Sequence, residues 1–189
     1  VKENPKDRCY LCKKAICRQI IKAAAGAVCD DAAEAAAAAG IVCEGSNADD
    51  VSDYRPGMKE LSELKVRSPL REAGLTKEEI RTLSKDAGIP QWNKPSAACL
   101  ASRCAYGELI TLKKLKMVEL AEDYLKDRGF GSLRVRIHGS EHFIARIEIP
   151  VSDIERFIPY REETYNYFKE LGFTYITLDL HGFSSGSMN

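Results

Sequence analysis

Apolar positions recur at helical spacing over residues 8–25, where Cys9, Cys12, Ile16 and Ile20 fall on one face. Asp7 can cap this helix and Gly26 sits where it stops. The alanine-dense run Asp31-Ala-Ala-Glu-Ala-Ala-Ala-Ala-Ala-Gly40 is helical by propensity. Ile41-Val-Cys-Glu44 reads as a short buried strand, with Gly45-Ser-Asn-Ala-Asp-Asp50 as the loop at its C-terminal end. That order predicts an α/β sheet with ligands at the strand tips. Residues 51–58 are polar and turn-like. Thr76-Lys-Glu-Glu79 is a capping box whose helix ends near Gly88. Residues 89–107 hold two prolines and little periodicity, and a connection of that length is often functional.

The last third is more regular. Thr111 caps a helix to about Asp127, with Gly129 after it. Leu133-Arg-Val-Arg-Ile-His138 and Phe143-Ile-Ala-Arg-Ile-Glu-Ile149 alternate apolar and polar residues, and Gly139-Ser140 between them predicts a hairpin. Ser152 or Asp153 can start helical structure that extends to about Leu171, and Phe173-Thr-Tyr-Ile-Thr-Leu-Asp-Leu180 makes a third strand. The fold class is therefore α/β: a parallel-sheet part over residues 1–94, followed by a small α+β module, αββαβ, over 95–189.

Composition narrows the function classes. Across 189 residues, Lys plus Arg equals Asp plus Glu, 28 each, so no global positive field favours nucleic acid as a partner. No apolar run reaches the roughly 20 residues that span a bilayer, and residues 1–8 lack the apolar core of a signal peptide. Seven cysteines, an odd count without a secretion signal, argue against a disulfide scaffold and for a cytoplasmic setting with reduced thiols. The chain opens without Met on a polar loop and reads as a piece of a longer one.

Several residue groups could carry chemistry, each with a plainer alternative. Cys99 and Cys104 lie in the long loop beside Ser102 and Arg103; a guanidinium stabilises a neighbouring thiolate, the reactive form of cysteine. Both thiols could equally serve as small hydrophobes. Cys9-x-x-Cys12 can hold zinc or iron–sulfur, or cycle as a dithiol, but no second pair at metal spacing accompanies it and core packing competes. Strand periodicity puts Arg134, Arg136 and His138 on one face, with Arg146 and Glu148 on the next strand. Such rows bind phosphates or carboxylates, or form a solvated face of cross-strand ion pairs. Asp49 and Asp50 after Asn47 can hold Mg2+ or a ribose, or shape a turn. Trp92 can stack on a planar ligand or anchor a core.

Five segments considered together resemble one family. They are Asn4-Pro-Lys-Asp-Arg-Cys-Tyr-Leu-Cys-Lys13, Gly45-Ser-Asn-Ala-Asp-Asp50, Val66-Arg-Ser-Pro-Leu70, Lys94-Pro-Ser-Ala-Ala-Cys-Leu-Ala-Ser-Arg103 and Gly182-Phe-Ser-Ser-Gly-Ser-Met-Asn189. The family is the ATP-dependent sacrificial sulfur transferases, LarE, of the PP-loop ATP pyrophosphatase superfamily. Cys-Leu-Ala-Ser-Arg is the most specific block.

The resemblance implies a cytoplasmic enzyme of nickel-pincer nucleotide synthesis, which supplies the lactate racemase cofactor. ATP adenylates a carboxylate of a pyridinium biscarboxylic acid mononucleotide, an enzyme sulfur attacks, AMP leaves and a thiocarboxylate results. Cys99 matches the cysteine that surrenders its sulfur and becomes dehydroalanine. In related members an iron–sulfur cluster on three cysteines carries an extra sulfur, and Cys104 opens that route, with Cys9 or Cys12 as candidate third ligand. Ser102 and Arg103 would surround the sulfur, and Arg134 and Arg136 would hold the substrate phosphate and carboxylates. Glu122 and Asp153 would be nearby polar or metal-binding groups, and Ser46, Asn47, Asp49 and Asp50 would lie near the nucleotide with its Mg2+. The family tends to assemble, which implies a homo-oligomer. One departure stands out: the family's phosphate loop, Ser-Gly-Gly-x-Asp-Ser in type, is absent from these residues. Either the sequence is a fragment, the reading favoured here, or it does not use ATP. The alternatives are another PP-loop enzyme, such as a tRNA thiolase or an amidating synthetase, and a non-catalytic metal- or nucleotide-binding module.

Overall fold

A computed structural model describes residues 1–24, 41–51, 63–94 and 98–184. The alanine-rich helix, the 52–58 turn and the 185–189 tail expected from sequence lie outside the described residues. Two compact units form, one from Asp7–Ser96 and one from Val1–Lys6 with Ala97–Asn189.

In the first unit, helix α1 spans Arg8–Ala24. It buries Cys17 and Ile21, while Cys9, Ile16 and Ile20 are exposed and Cys12 is half-buried. The expected stripe is therefore rotated by one residue. Ile16-Cys17 and Ile20-Ile21 are adjacent apolar pairs, so either register satisfies the helical period. Cys17 and Val66 form a small core, with Val42 and Leu64 against it. The expected strand at 41–44 is one isolated parallel bridge, Cys43 to Arg67, and Ile41 is exposed. Its alternation still turns Val42 and Glu44 inward. A helical turn α2, Pro69–Glu72, precedes α3, Lys77–Asp86. Thr76 accepts the Glu79 N–H and Glu79 reaches back to the Thr76 N–H, so the expected capping box is complete.

In the second unit, Thr111 caps α4, Leu112–Asp127, by accepting the Lys114 N–H. Strands β1, Arg134–His138, and β2, Ile144–Glu148, pair antiparallel with Arg136 opposite Arg146. Beyond β2 the expected single helix is divided. Its pieces are α5, Ile154–Phe157, a 3-10 turn Ile158–Tyr160 and α6, Arg161–Leu171. Pro159 cannot donate a helical hydrogen bond, which accounts for the break. Gly172, at φ 102°, ends α6 in the left-handed conformation that favours glycine. Strand β3, Tyr175–Leu178, then runs parallel to β2, giving the order β1-β2-β3. The αββαβ order expected from sequence is the one observed.

One sheet face carries Val135, Ile137, Ala145 and Ile147. They pack with Val118, Ala121 and Leu125 of α4 and with Phe130, Phe157, Phe168 and Phe173. Period-2 alternation sends Arg134, Arg136, His138, Arg146 and Glu148 to the other face.

Candidate functional site

Cys99 opens a 3-10 turn, Leu100–Arg103, that lies against β1 and α4 of the second unit. Its side chain is exposed. Cys104 follows the turn, makes a parallel bridge to Ile137 on the edge of β1, and is buried in the apolar core. The two thiols thus have opposite environments, although five positions separate them.

Arg103 holds the turn from beneath. Its Nε donates to Glu122 Oε1 at 2.7 Å and its Nη2 to Glu122 Oε2 at 3.0 Å, a bidentate pair. Both side chains are nearly sealed from solvent, at 7% and 3% exposure. Arg103 Nη1 donates to the Ala98 carbonyl at 3.2 Å, the Cys99 carbonyl at 3.4 Å and the Ser102 hydroxyl at 3.0 Å. Ser102 Oγ donates to the Cys99 carbonyl at 2.6 Å. Glu122 Oε1 also accepts the Val135 N–H at 3.0 Å, which satisfies a donor on the outer edge of β1. Arg103 and Glu122 therefore act through the loop backbone.

A second ion chain runs along the polar sheet face. Arg136 Nε donates to Glu148 Oε2 at 3.1 Å, and Arg136 Nη1 to the Ser102 carbonyl at 2.7 Å. Arg146 donates to Glu148 Oε1 at 3.0 Å and approaches Asp179 at 3.5 Å. The solvated alternative for this face fails at Arg136 and Glu148, whose exposures are 1% and 0%. Burial presses the Arg136 pKa below its usual value against the pull of Glu148, with Arg134 and Arg103 adding to the depression. A guanidinium stays charged throughout the accessible range. Arg134 is half-buried, with the Phe183 ring 4.9 Å from its guanidinium. Ser102, Arg103, Glu122 and Arg136 thus converge on the Cys99 turn. Asp153 stands outside this set: it pairs with Arg156 at 3.5 Å, and Arg156 donates to the Gly129 carbonyl beyond α4.

His138 is half-buried on the same face. Burial first, then Arg146 and Arg136, depress its pKa, while Glu108 and Glu148 oppose the shift. The unfolded chain therefore holds this proton to higher pH than the folded one. The contribution is fully present above about pH 6.5, the unfolded value, and is lost as pH falls from there through the lower folded-state value. His138→Gln is expected to flatten that part of a stability-against-pH curve followed by thermal denaturation.

In the first unit, burial tends to raise the Glu44 pKa. The Ser68 and Ser46 hydroxyls, the Ser46 N–H and Lys13 together hold it below the usual value. Glu44 thereby fixes the start of the 45–50 loop. Asp50 accepts the Asn47 N–H at 3.0 Å, and Asp49 accepts the Lys77 N–H at 2.8 Å. Ser46 is buried against Glu44. Beside this loop lies a cleft of about 330 Å³ lined by Asn47, Lys77, Ile80, Arg81, Trp92 and Lys94, among others. Lys77 and Arg81 were not singled out from sequence. Their four-residue spacing on α3, with Ile80 and Ser84, is the signal that would have revealed a cationic helix face.

Among the described residues, no group of three or more His, Cys, Asp or Glu is arranged to hold a metal ion. Cys104 is buried in the apolar core of the second unit, and Cys9 and Cys12 belong to the first. No described helix is long and apolar enough to cross a membrane.

Fold and site together define a two-unit α/β protein that presents an exposed cysteine on a loop clamped by buried ion pairs. No protein-family model matches the chain. It is 38% identical over its whole length to pyridinium-3,5-bisthiocarboxylic acid mononucleotide synthase of Lactiplantibacillus plantarum, covering 64% of that protein. An uncharacterised Synechocystis protein is 41% identical over 98% of the chain, with 65% of its own length covered. A Methanocaldococcus jannaschii protein, also uncharacterised, is 29% identical over 97% of the chain and covered to 66%. The chain therefore spans just under two thirds of the length of these relatives. Along its entire length the chain is thus similar to that synthase and to the two uncharacterised proteins.

Proposed function

We propose that the protein transfers sulfur from Cys99 to an ATP-activated carboxylate of a pyridinium mononucleotide. The observation that carries this reading is the exposed Cys99 thiol on a turn held by Arg103–Glu122 and by Arg136. The name of the Lactiplantibacillus relative supports the substrate class.

In the proposed sequence, a substrate carboxylate oxygen attacks the α-phosphorus of ATP, supplied with Mg2+, and pyrophosphate leaves. The Cys99 thiolate attacks the acyl carbon of the adenylate and AMP leaves, giving a thioester. A base removes the Cys99 α-proton and the Cβ–S bond breaks toward sulfur. The products are a thiocarboxylate and dehydroalanine. Adenylation makes a poor leaving group good, and a thiolate is a strong nucleophile. Arg103, Glu122 and Ser102 keep the turn in one geometry, so no loop ordering accompanies the attack. Arg134, like Arg146, is a half-buried cation on the polar face, and it is assigned to the substrate's anionic groups. Arg136 supports the Ser102 carbonyl.

Residues 1–94 are read as part of a PP-loop nucleotide domain, with 95–189 as the sulfur-transfer and substrate domain. The cleft beside the 45–50 loop is lined by Lys77, Arg81, Lys94 and Trp92, a suitable surface for nucleotide phosphates and a base. The assembly is read as a cytoplasmic homo-oligomer.

The test is an assay of the full-length protein with ATP, Mg2+ and the pyridinium dicarboxylate mononucleotide. AMP release with a thiocarboxylate product is the expected result. AMP release without any thiolated product, or neither, would contradict the reading.

A further inference from the structure

The first six residues belong to the unit that carries Cys99, and Asn4 is their inner anchor. Its side chain is completely buried. Its Nδ2 donates to the Cys104 carbonyl at 3.1 Å and to the Ala105 carbonyl at 2.6 Å. Its own carbonyl accepts the Gly107 N–H at 2.9 Å, and the Lys2 carbonyl accepts the Ile110 N–H at 2.8 Å. Asn4 has φ 53°, in the left-handed region where asparagine is among the better-tolerated residues. The side-chain amide and the unusual backbone thus both serve one contact, about a hundred positions away in sequence.

The contact falls where the Cys99 loop leaves its turn. Arg103–Glu122 and Arg136 hold the middle of that loop, and the Cys104–Ile137 bridge ties its exit to β1. The Ala105 carbonyl also accepts the Glu108 N–H at 3.1 Å, and Asn4 meets the Cys104 and Ala105 carbonyls together with one NH2 group.

We propose that Asn4 is a positioning residue for the Cys99 thiol: it locks the exit of the loop and so fixes where the sulfur is presented. The claim deepens the sulfur-transfer reading and rests on it for its catalytic consequence, but the fixed position of the thiol can be measured without that reaction. Asn4→Asp keeps the shape and tolerates positive φ but sets a carboxylate against two carbonyls. Asn4→Gly keeps the backbone conformation and removes the amide.

Both variants are made in the full-length protein. Two rates are followed: iodoacetamide modification of Cys99 relative to exposed Cys43 on the other unit, by peptide mass spectrometry, and single-turnover sulfur transfer over a range of substrate concentrations. In both variants Cys99 modification is expected to rise several-fold relative to Cys43. Sulfur transfer should slow on the order of tenfold or more at saturating substrate, with the half-saturating concentration unchanged. A merely structural role would lower the melting temperature and leave both readouts per folded molecule at wild-type values, and that result overturns the proposal. Wild-type behaviour of Asn4→Gly alone also overturns it, because the backbone and not the amide would then be responsible. If Asn4→Asp does not fold, Asn4→Gly decides. If the wild-type protein transfers no sulfur, the parent reading fails and the modification rates still test whether Asn4 fixes the thiol.

Discussion

Cys99→Ser is expected to abolish thiocarboxylate formation, a loss on the order of 10³-fold or more, while adenylate formation with pyrophosphate release continues. The hydroxyl is a far weaker nucleophile than a thiolate, and it carries no sulfur to give. Separating the two products is informative because it places the defect after activation. Cys104→Ser is the matched control. Its side chain lies in the apolar core, so the change buries a hydroxyl and lowers stability, but each folded molecule should retain sulfur transfer. The check is quantitation of pyrophosphate and thiolated product for both variants under the same conditions. Equal loss of product in both would point to a joint role for the two thiols.

Glu122→Ala is expected to destabilise the second unit by about 3–5 kcal/mol. It strands the Arg103 guanidinium in a site with 7% side-chain exposure and leaves the Val135 N–H without its carboxylate acceptor. Arg103→Lys should be harmful too, because an ammonium cannot reproduce the two-pronged contact with Glu122. Replacing both members together, as Arg103→Leu with Glu122→Leu, should recover much of the stability, since apolar pairs often substitute well for buried ion pairs. Sulfur transfer should stay low in the double variant, because the carbonyls of Ala98 and Cys99 lose their shared donor. Thermal denaturation and single-turnover rates for the single and double variants give the comparison. Recovery of both stability and activity in the double variant would remove the loop-holding role assigned to this pair.

Much of the second unit was legible because its signals are local. Thr111 as a cap, the alternation over β1 and β2, and Gly139 in the turn each depend on a few adjacent residues. The division of the long helix at Pro159 has an equally local signal, the missing proline N–H. Less legible was the polar face of the sheet. Alternation puts Arg134 and Arg136 side by side, but only the third dimension brings the Ser102 carbonyl onto Arg136 and seals it with Glu148. Likewise Arg103 was expected to act on a neighbouring sulfur, whereas its hydrogen bonds reach Glu122, two carbonyls and a hydroxyl. Glu122 lies nineteen positions away, beyond the reach of a motif. In the first unit, α1 carries two overlapping apolar stripes, and which one is buried depends on Val66, far along the chain. Asn4 gave no signal as a residue, since a lone asparagine before a proline reads as a turn.

The central claim is that the sulfur comes from the side chain of Cys99. The direct measurement is peptide mass spectrometry of the full-length protein after one turnover with ATP, Mg2+ and the pyridinium mononucleotide. The account predicts that the Cys99 peptide loses the mass of hydrogen sulfide, in proportion to the thiocarboxylate formed, while the Cys104 thiol is retained. Thiolated product accompanied by an unchanged Cys99 peptide would contradict it.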